Sequence, residues 1–320
     1  MAQALTVVLS QTPSKDPRRQ SLQEELLAAL LVESGVEVGV VPHIYDLSDD
    51  HTGLLYLRSI PGPLVVLCWV YPRPAYWMLY RHGVRGRRGR VLLVDESLDG
   101  DADEPREPVR PELIDDLPDR PIYCIDLRAA DGAEAVLEEI RRIRDECAAE
   151  LVQLTPLPPR SEPAVPQKHN GQTPRRWYPV IDYSKCTNCL ECIDFCLFGV
   201  YGVDGQERIL VEQPDNCRRG CPACSRVCPE HAIMFPMHKN PAIAGGTDPD
   251  GGGLKIDLSR LFGGEDALKL AAEERDRELI KAGRAPVGAI SPPKPSRGAP
   301  QPAERDELDD LIDQLESLEL

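Results

Sequence analysis

Two short runs of cysteines constrain this chain more than any other part of its sequence. The first run, CTNCLECIDFC, covers residues 186–196, and the second, CRRGCPACSRVC, covers residues 217–228. Each run holds four cysteines, and the two form a degenerate internal repeat in which an apolar stretch follows the cysteines. Thiols at this density are typical of a covalent or metal-bound framework rather than of a packed core. We therefore expect this part of the chain to fold around such a framework.

The rest of the sequence predicts a reducing environment for these cysteines. The amino terminus lacks the basic and apolar regions of a secretory signal, and the longest apolar run, residues 63–72, is too short to span a bilayer. We expect a cytoplasmic protein without a membrane span, in which the eleven cysteines are metal ligands or core residues rather than disulfides. The formal net charge of −16 argues against nucleic acid as a partner, because that binding depends on neutralising phosphates.

The spacing within the runs favours iron–sulfur ligation over zinc. A zinc ribbon uses two C-x₂-C pairs and would leave the other thiols of each run without a role. Three thiolates separated by two residues each can instead surround one iron–sulfur cluster, whose fourth ligand comes from elsewhere in the chain. On these residues, the segment 178–238 resembles the bacterial-type two-cluster ferredoxins.

The resemblance implies two [4Fe–4S] clusters with crossed ligands, since the fourth cysteine of each run ligates the other run's cluster in that family. The first cluster would be bound by Cys186, Cys189, Cys192 and Cys228, and the second by Cys217, Cys221, Cys224 and Cys196. The sequence departs from the family at Leu197, where proline is usual, and in the wider C-x₃-C spacing that begins at Cys217. The wider spacing leaves a [3Fe–4S] centre as an alternative at the second site.

Residues 1–150 predict an α/β domain. Apolar segments typical of buried strands alternate with segments of helical periodicity, which favours an open, mostly parallel sheet with helices on both faces. The predicted strands are residues 5–10, 36–41, 64–70, 90–95 and 121–127, and the predicted helices are residues 22–31, 74–82 and 132–150. Cys68, Cys124 and Cys147 fall within these elements without metal-ligand spacing, so we expect them in the core.

Proline- and glycine-rich segments divide the rest of the chain. By composition, residues 151–177 are a Pro-rich linker, and residues 178–238 are the small α+β ferredoxin-like domain. Residues 239–285 predict a Gly-rich loop and a helix, and residues 286–302 a disordered Pro-rich spacer. Residues 303–320 predict an acidic amphipathic helix, which is either a solvated end or a segment that docks on a partner.

Two segments of the α/β domain are candidate ligand sites. Residues 10–19, SQTPSKDPRR, follow the first strand, where phosphates bind in open α/β sheets, and are similar to the hydroxyl-rich FMN phosphate loop of flavodoxins. This stretch lacks glycine, so an ordinary capped turn is the default interpretation. Residues 68–90 combine aromatic with basic side chains. This pattern indicates either aromatic packing beneath a basic loop or a surface for an acidic partner or phosphate-bearing ligand.

These features predict an iron–sulfur electron-transfer protein that relays single electrons through two clusters between docked redox partner proteins. No catalytic residue belongs to this prediction. The alternative is an oxidoreductase, a flavin- or substrate-binding reductase whose N-terminal domain receives electrons from the clusters and whose cofactor would be FMN. A structural or assembly protein with inert clusters is a third interpretation.

Overall fold

A parallel β-sheet forms the first part of the structure. In the computed structural model of the chain, the described residues are 5–93, 108–151, 166–169, 171 and 173–246, and all of them lie within one structural unit, residues 1–256. Across these residues the sheet has six strands in the order β4-β5-β3-β1-β2-β6, and all neighbours are parallel. The strands are β1 (Leu5–Ser10), β2 (Val36–Val41), β3 (Leu64–Cys68), β4 (Arg87–Arg88), β5 (Pro121–Asp126) and β6 (Gln167–Lys168).

Helices cover both faces of this sheet. They are α1 (Pro17–Leu30), α2 (Thr52–Ser59), α3 (Pro72–Arg81) and α4 (Ala133–Leu151). One face of the sheet, which includes Val7, packs against α1 and α4, and the opposite face, which includes Val8, packs against α2 and α3. Because both faces are buried, the strands are continuous hydrophobic runs in the sequence. The predicted α/β fold is confirmed, and Cys68, Cys124 and Cys147 are buried as expected.

The predicted strand at residues 90–95 is wrong for residues 90–93, which lie outside the sheet, whereas residues 94 and 95 are not described. The short strand β4 precedes them and ends where Gly89 lies directly against the Tyr123 ring. The backbone N–H of Leu92 then donates to the Glu139 carboxylate over 2.7 Å rather than to β5. A charged side chain of α4 therefore satisfies the backbone group that a strand would have paired. Sequence periodicity did not predict α2 or β6.

Small antiparallel elements form the cysteine-rich part of the structure. β7 (Val180–Ile181) pairs with β10 (Ile233–Met234), and β8 (Tyr201–Val203) pairs with β9 (Ile209–Val211). Three short helices accompany them: α5 (Glu191–Phe195), α6 (Ala223–Val227) and α7 (Pro241–Ala244). The Asp204 carboxylate closes the β8–β9 turn by accepting the N–H groups of Gln206 and Arg208. The Asp204-Gly205 pair is typical of such turns, so the local sequence accounts for this hairpin.

The cysteine-rich part and the parallel sheet share one hydrophobic core. The ring of Tyr45 stacks on that of Tyr178 with centroids 4.4 Å apart, and its hydroxyl bonds to the Tyr178 backbone N–H and carbonyl over 2.7 and 2.6 Å. From α3, the rings of Trp77 and Tyr80 contact Tyr183 at centroid distances of 5.6 and 5.8 Å. Such pairs stabilise a fold beyond the apolar area they bury.

An ion pair within this core joins α3 to the chain that leads into the first cysteine run. The Arg73 guanidinium donates to the Asp182 carboxylate and, over 2.8 Å, to the His231 carbonyl. Both side chains are buried, with 5% of Arg73 and 1% of Asp182 exposed. A charge removed from water to this extent requires a partner, because its desolvation would otherwise cost several kcal/mol. Each residue therefore constrains the position of the other.

Several predicted segments fall wholly or mostly outside the described residues. They are most of the predicted Pro-rich linker (151–177) and residues 247–285 of the predicted Gly-rich loop and helix (239–285). The predicted spacer (286–302) and the predicted terminal helix (303–320) lie wholly outside. Within the part of the chain that is described, no helix combines the length and apolar character needed to cross a membrane.

The buried pair leads to a stability prediction. Arg73→Met should lower the free energy of unfolding by about 3–5 kcal/mol, because it leaves the Asp182 carboxylate buried without a counter-charge. Guanidinium unfolding of the anaerobically purified protein, followed by far-ultraviolet circular dichroism, measures the change. Adding Asp182→Asn to this variant should restore part of the loss, because the amide carries no charge.

Arg87→Met is the matched control, since Arg87 pairs with Asp119 over 2.6 Å and both side chains are exposed. Its cost should be about 0–1 kcal/mol. An Arg73→Met variant that is no less stable than Arg87→Met would contradict the role assigned to the buried pair.

Candidate metal centre

The first cysteine run begins in a tightly curled loop. The carbonyl of Asp182 accepts the backbone N–H of Cys186 over 3.0 Å, which holds the first cysteine next to the end of β7. Asn188 and Leu190 adopt left-handed backbone conformations with φ of 57° and 65°, which are uncommon for residues other than glycine. These two reversals curl the chain so that Cys186 and Cys189 approach Cys192, the second residue of α5.

The Asn188 side chain ties this loop to the β8–β9 hairpin. Its amide group donates to the Glu207 carbonyl over 2.9 Å, and its carbonyl oxygen accepts the Ile209 backbone N–H over 2.9 Å. These bonds account for the left-handed conformation of Asn188, since a short polar side chain tolerates it best. Sequence reasoning did not single out Asn188. Its only local signal is asparagine between two cysteines, a residue type that favours turns.

One cavity brings together four cysteines from both runs. It is lined by Cys186, Cys189 and Cys192 from the first run and by Cys228 from the second. The thiols of Cys186 and Cys192 each interact electrostatically with that of Cys228, so the second run reaches into the first group. Apolar side chains, among them Ile209, complete the cavity wall. We call these four cysteines the first group.

The other four cysteines lie together around α6. The thiol of Cys217 interacts with those of Cys221 and Cys196. The thiol of Cys224 interacts with all three of these thiols. Cys196 directly follows α5 and reaches this group from the first run. We call these four cysteines the second group. The two groups adjoin, because the thiols of Cys192 and Cys224 also interact.

The extra residue in the second run is accommodated by a turn. The Cys221 backbone N–H donates to the Arg218 carbonyl over 3.0 Å, and Gly220 between them has a φ of 81°. Glycine adopts this left-handed conformation without steric cost. The C-x₃-C spacing therefore closes into a loop that keeps Cys217 and Cys221 in the same group. Leu197, which stands where the family has proline, is 92% exposed and carries no packing role.

Burial makes uncompensated thiolates unfavourable at both groups. It raises the pKa of Cys217 and that of Cys224 to about 12, and it also raises the pKa of Cys192. The neighbouring thiols raise these values further, because like charges would repel. At neutral pH these thiols keep their protons unless a cation replaces them, so metal binding here must release protons.

Hydrogen-bond donors already point at three of the sulfurs. In the first group, the backbone N–H of Asn188 lies 3.4 Å from the Cys186 sulfur, and that of Ala232 lies 3.3 Å from the Cys228 sulfur. In the second group, the hydroxyl of Tyr201 lies 3.1 Å from the Cys224 sulfur. Donors of this kind stabilise thiolate ligands.

The chemistry of these residues fits an iron–sulfur cluster at each group. None of the eleven cysteines forms a disulfide. Among the described residues, no three potential ligands converge closely enough to hold a single metal ion. That finding does not bear on a cluster, because the four thiolates of a [4Fe–4S] cluster bind four different irons.

The hydroxyl-rich segment after β1 is an ordinary capped turn. Asp16 caps α1 by accepting the Arg18 backbone N–H over 3.0 Å. The hydroxyls of Thr12 and Ser14 accept the backbone N–H groups of Ser14 and Asp16, both over 3.2 Å. The hydroxyls that resembled a phosphate loop are thus bonded to their own backbone. The capped turn expected at residues 10–19 is present.

The aromatic residues of segment 68–90 are buried rather than arranged around an open crevice. Tyr76, Trp77 and Tyr80 belong to the core that joins α3 to the cysteine-rich part, whereas Trp69 belongs to the core on the opposite face of the sheet. Arg81 lies over the Tyr178 ring at 5.2 Å. The interpretation of this segment as aromatic packing is confirmed. Arg73, which the sequence analysis did not single out, lies in the same segment. Nothing near it in the sequence indicates its partner, because Asp182 is 109 residues away.

Comparison with known proteins supports the ferredoxin-type character of the cysteine-rich part. No protein-family model matches the chain. The chain is similar to an uncharacterized ferredoxin of Methanocaldococcus jannaschii, with 47% identity over 66 residues. The match covers 20% of this chain and 44% of the relative, so the chain spans less than half the length of that protein. The similarity does not address the α/β domain.

Proposed function

We propose that this chain is an iron–sulfur electron-transfer protein that holds two [4Fe–4S] clusters and passes single electrons between redox partner proteins. The observation that carries the proposal is the arrangement of eight cysteines in two adjoining groups of four, each of which includes one cysteine from the other run. The 47% identity over 66 residues to an uncharacterized ferredoxin also supports iron–sulfur binding. The first cluster would be bound by Cys186, Cys189, Cys192 and Cys228, and the second by Cys217, Cys221, Cys224 and Cys196.

When bound, each cluster supplies a site that accepts and returns one electron. The chain positions the ligands and limits the access of water to them. Ile209 and its apolar neighbours shield the first group, and the buried Tyr201 lies over the second. Partial burial and hydrogen bonds to sulfur are the means by which a protein adjusts cluster potentials.

The edge of this site remains open to a docking protein. Cys189 of the first group is exposed, and Leu197 is exposed directly after Cys196. The adjoining groups offer a route for an electron that enters through one cluster and leaves through the other. No proton or chemical group has to move in this relay, so no catalytic side chain is required. We place this activity in a reducing compartment, where free thiols and clusters persist.

Iron analysis provides the first test. Anaerobically purified protein should contain about eight irons per chain, as two [4Fe–4S] clusters require. On reduction, electron paramagnetic resonance should detect two paramagnetic centres that interact, because the groups adjoin. Zinc in place of iron, or clusters that cannot be reduced, would refute the proposal. Seven irons and a [3Fe–4S] signal at the second site would correct only the type of that cluster.

A second test concerns the crossed ligands. Cys196→Ala should damage the cluster bound by Cys217, Cys221 and Cys224, although Cys196 is next to the other cluster in the sequence. Cys189→Ala and Cys221→Ala define the spectra of proteins damaged at the first and second cluster, respectively. The iron content and paramagnetic spectrum of Cys196→Ala should match those of Cys221→Ala.

Cys147→Ala is the matched control, because Cys147 is a buried cysteine outside both groups. It should retain the iron content of the unmodified protein. A Cys196→Ala spectrum that matches Cys189→Ala instead would show that the ligand assignment is wrong.

A further inference from the structure

A single tyrosine distinguishes the surroundings of the second cysteine group from those of the first. Tyr201 begins β8, and its hydroxyl lies 3.1 Å from the sulfur of Cys224. Only 6% of Tyr201 and 8% of Cys224 are exposed, so their contact is shielded from water. In the first group, the described donors to sulfur are backbone amides, those of Asn188 and Ala232. The contact at the second group can therefore be removed by changing one side chain.

The hydroxyl of Tyr201 is the donor in this contact whenever Cys224 is a thiolate. The phenol oxygen lies 3.1 Å from the Cys224 sulfur, within hydrogen-bond distance of it. A tyrosine hydroxyl can donate a hydrogen bond. A thiolate sulfur has no proton to offer and accepts the bond. Hydrogen bonds with an ionised partner are stronger than bonds between neutral groups, and a low local dielectric strengthens them again.

We propose that Tyr201 raises the reduction potential of the second cluster by donating a hydrogen bond to the sulfur of Cys224. This inference rests on the proposed function, since it assumes that the second group binds a cluster. Reduction adds one electron, supplied by a protein redox partner, and therefore adds negative charge to the cluster and its thiolates. A donor at a ligand sulfur stabilises the more negative, reduced form to a greater extent. No covalent bond changes, and the proton stays on the tyrosine oxygen.

A second buried tyrosine shows that proximity to a cysteine group is not sufficient for this role. The Tyr183 side chain interacts with Cys186 of the first group. Its hydroxyl, however, donates to the Ile209 backbone carbonyl over 2.9 Å. Tyr183→Phe therefore removes a buried phenol oxygen near a cluster without removing a bond to sulfur. It is the matched control for Tyr201→Phe, because both changes delete one oxygen atom and keep the aromatic ring.

The experiment is a redox titration of full-length, anaerobically purified protein followed by electron paramagnetic resonance. The spectrum of Cys221→Ala identifies which of the two midpoint potentials belongs to the second cluster. Tyr201→Phe should lower that potential and leave the other unchanged. The expected change is about fivefold to tenfold in the one-electron reduction equilibrium constant, where tenfold corresponds to about 59 mV. Tyr183→Phe should leave the potential of the second cluster unchanged.

Iron content separates failure of this inference from failure of the proposed function. If Tyr201→Phe holds both clusters and neither potential changes, Tyr201 does not tune the second cluster, and the proposed function stands. If Tyr183→Phe and Tyr201→Phe change the potential of the second cluster equally, the role of the bond to sulfur is also overturned. If the unmodified protein binds no iron, both the proposed function and this inference fail.

A measurement on the unmodified protein covers the case in which Tyr201→Phe does not retain its second cluster. Electron–nuclear double resonance of the reduced protein, in water and in deuterium oxide, detects exchangeable protons coupled to each cluster. The inference requires an exchangeable proton coupled to the second cluster. It also requires a ring-proton coupling at that cluster that is lost when the protein is prepared with tyrosine deuterated on its ring carbons. Absence of the exchangeable proton would overturn the inference without any mutation.

Discussion

The buried ion pair between Arg73 and Asp182 is the interaction on which the arrangement of the cysteine groups depends. Asp182 does more than neutralise a buried arginine, because its carbonyl also accepts the N–H of Cys186 and its carboxylate accepts the N–H of Ser184. Arg73 also donates to the carbonyl of His231, which follows Cys228 closely in the chain. One side chain of α3 thus reaches both segments that supply the first group. A buried charge is intolerant of displacement, since any movement leaves it without its partner.

The parallel sheet therefore serves as a support for the candidate metal centre. A very small two-cluster domain has little core of its own and obtains much of its stability from its clusters. Here β7 and β10 instead share a hydrophobic core with α3, and the Tyr45–Tyr178 stack extends that core to the chain before β7. In the proposed function, packing of this kind would hold the cysteines in position before metal binds, which would reduce the ordering cost of binding.

The two cysteine groups differ in the donors that surround them, although the two runs are repeats of one pattern. The first group receives bonds from the backbone at Asn188 and Ala232, whereas the second receives one from the Tyr201 side chain. Backbone donors persist when residues are substituted, but a side-chain donor is specific to tyrosine at this position. In the proposed function, two clusters bound by four cysteines each would therefore differ in potential, because potential depends on hydrogen bonds and burial as well as on ligand identity.

Metal chemistry and fold class could be predicted from the sequence because their signals are local. Cysteine spacing indicates a cluster without knowledge of the fold, and apolar strands that alternate with helices indicate a parallel sheet. The prediction failed at residues 90–93, where Glu139 of a distant helix takes the backbone N–H that a strand would have paired. The partners Asp182 for Arg73 and Cys224 for Tyr201 likewise lie 109 and 23 residues away. Sequence alone indicated which cysteines are candidate metal ligands and where four strands of the parallel sheet form, β1, β2, β3 and β5, since both signals come from neighbours along the chain. Only the tertiary structure decided which side chains stabilise and tune the candidate centre, because folding brings them together from separate segments.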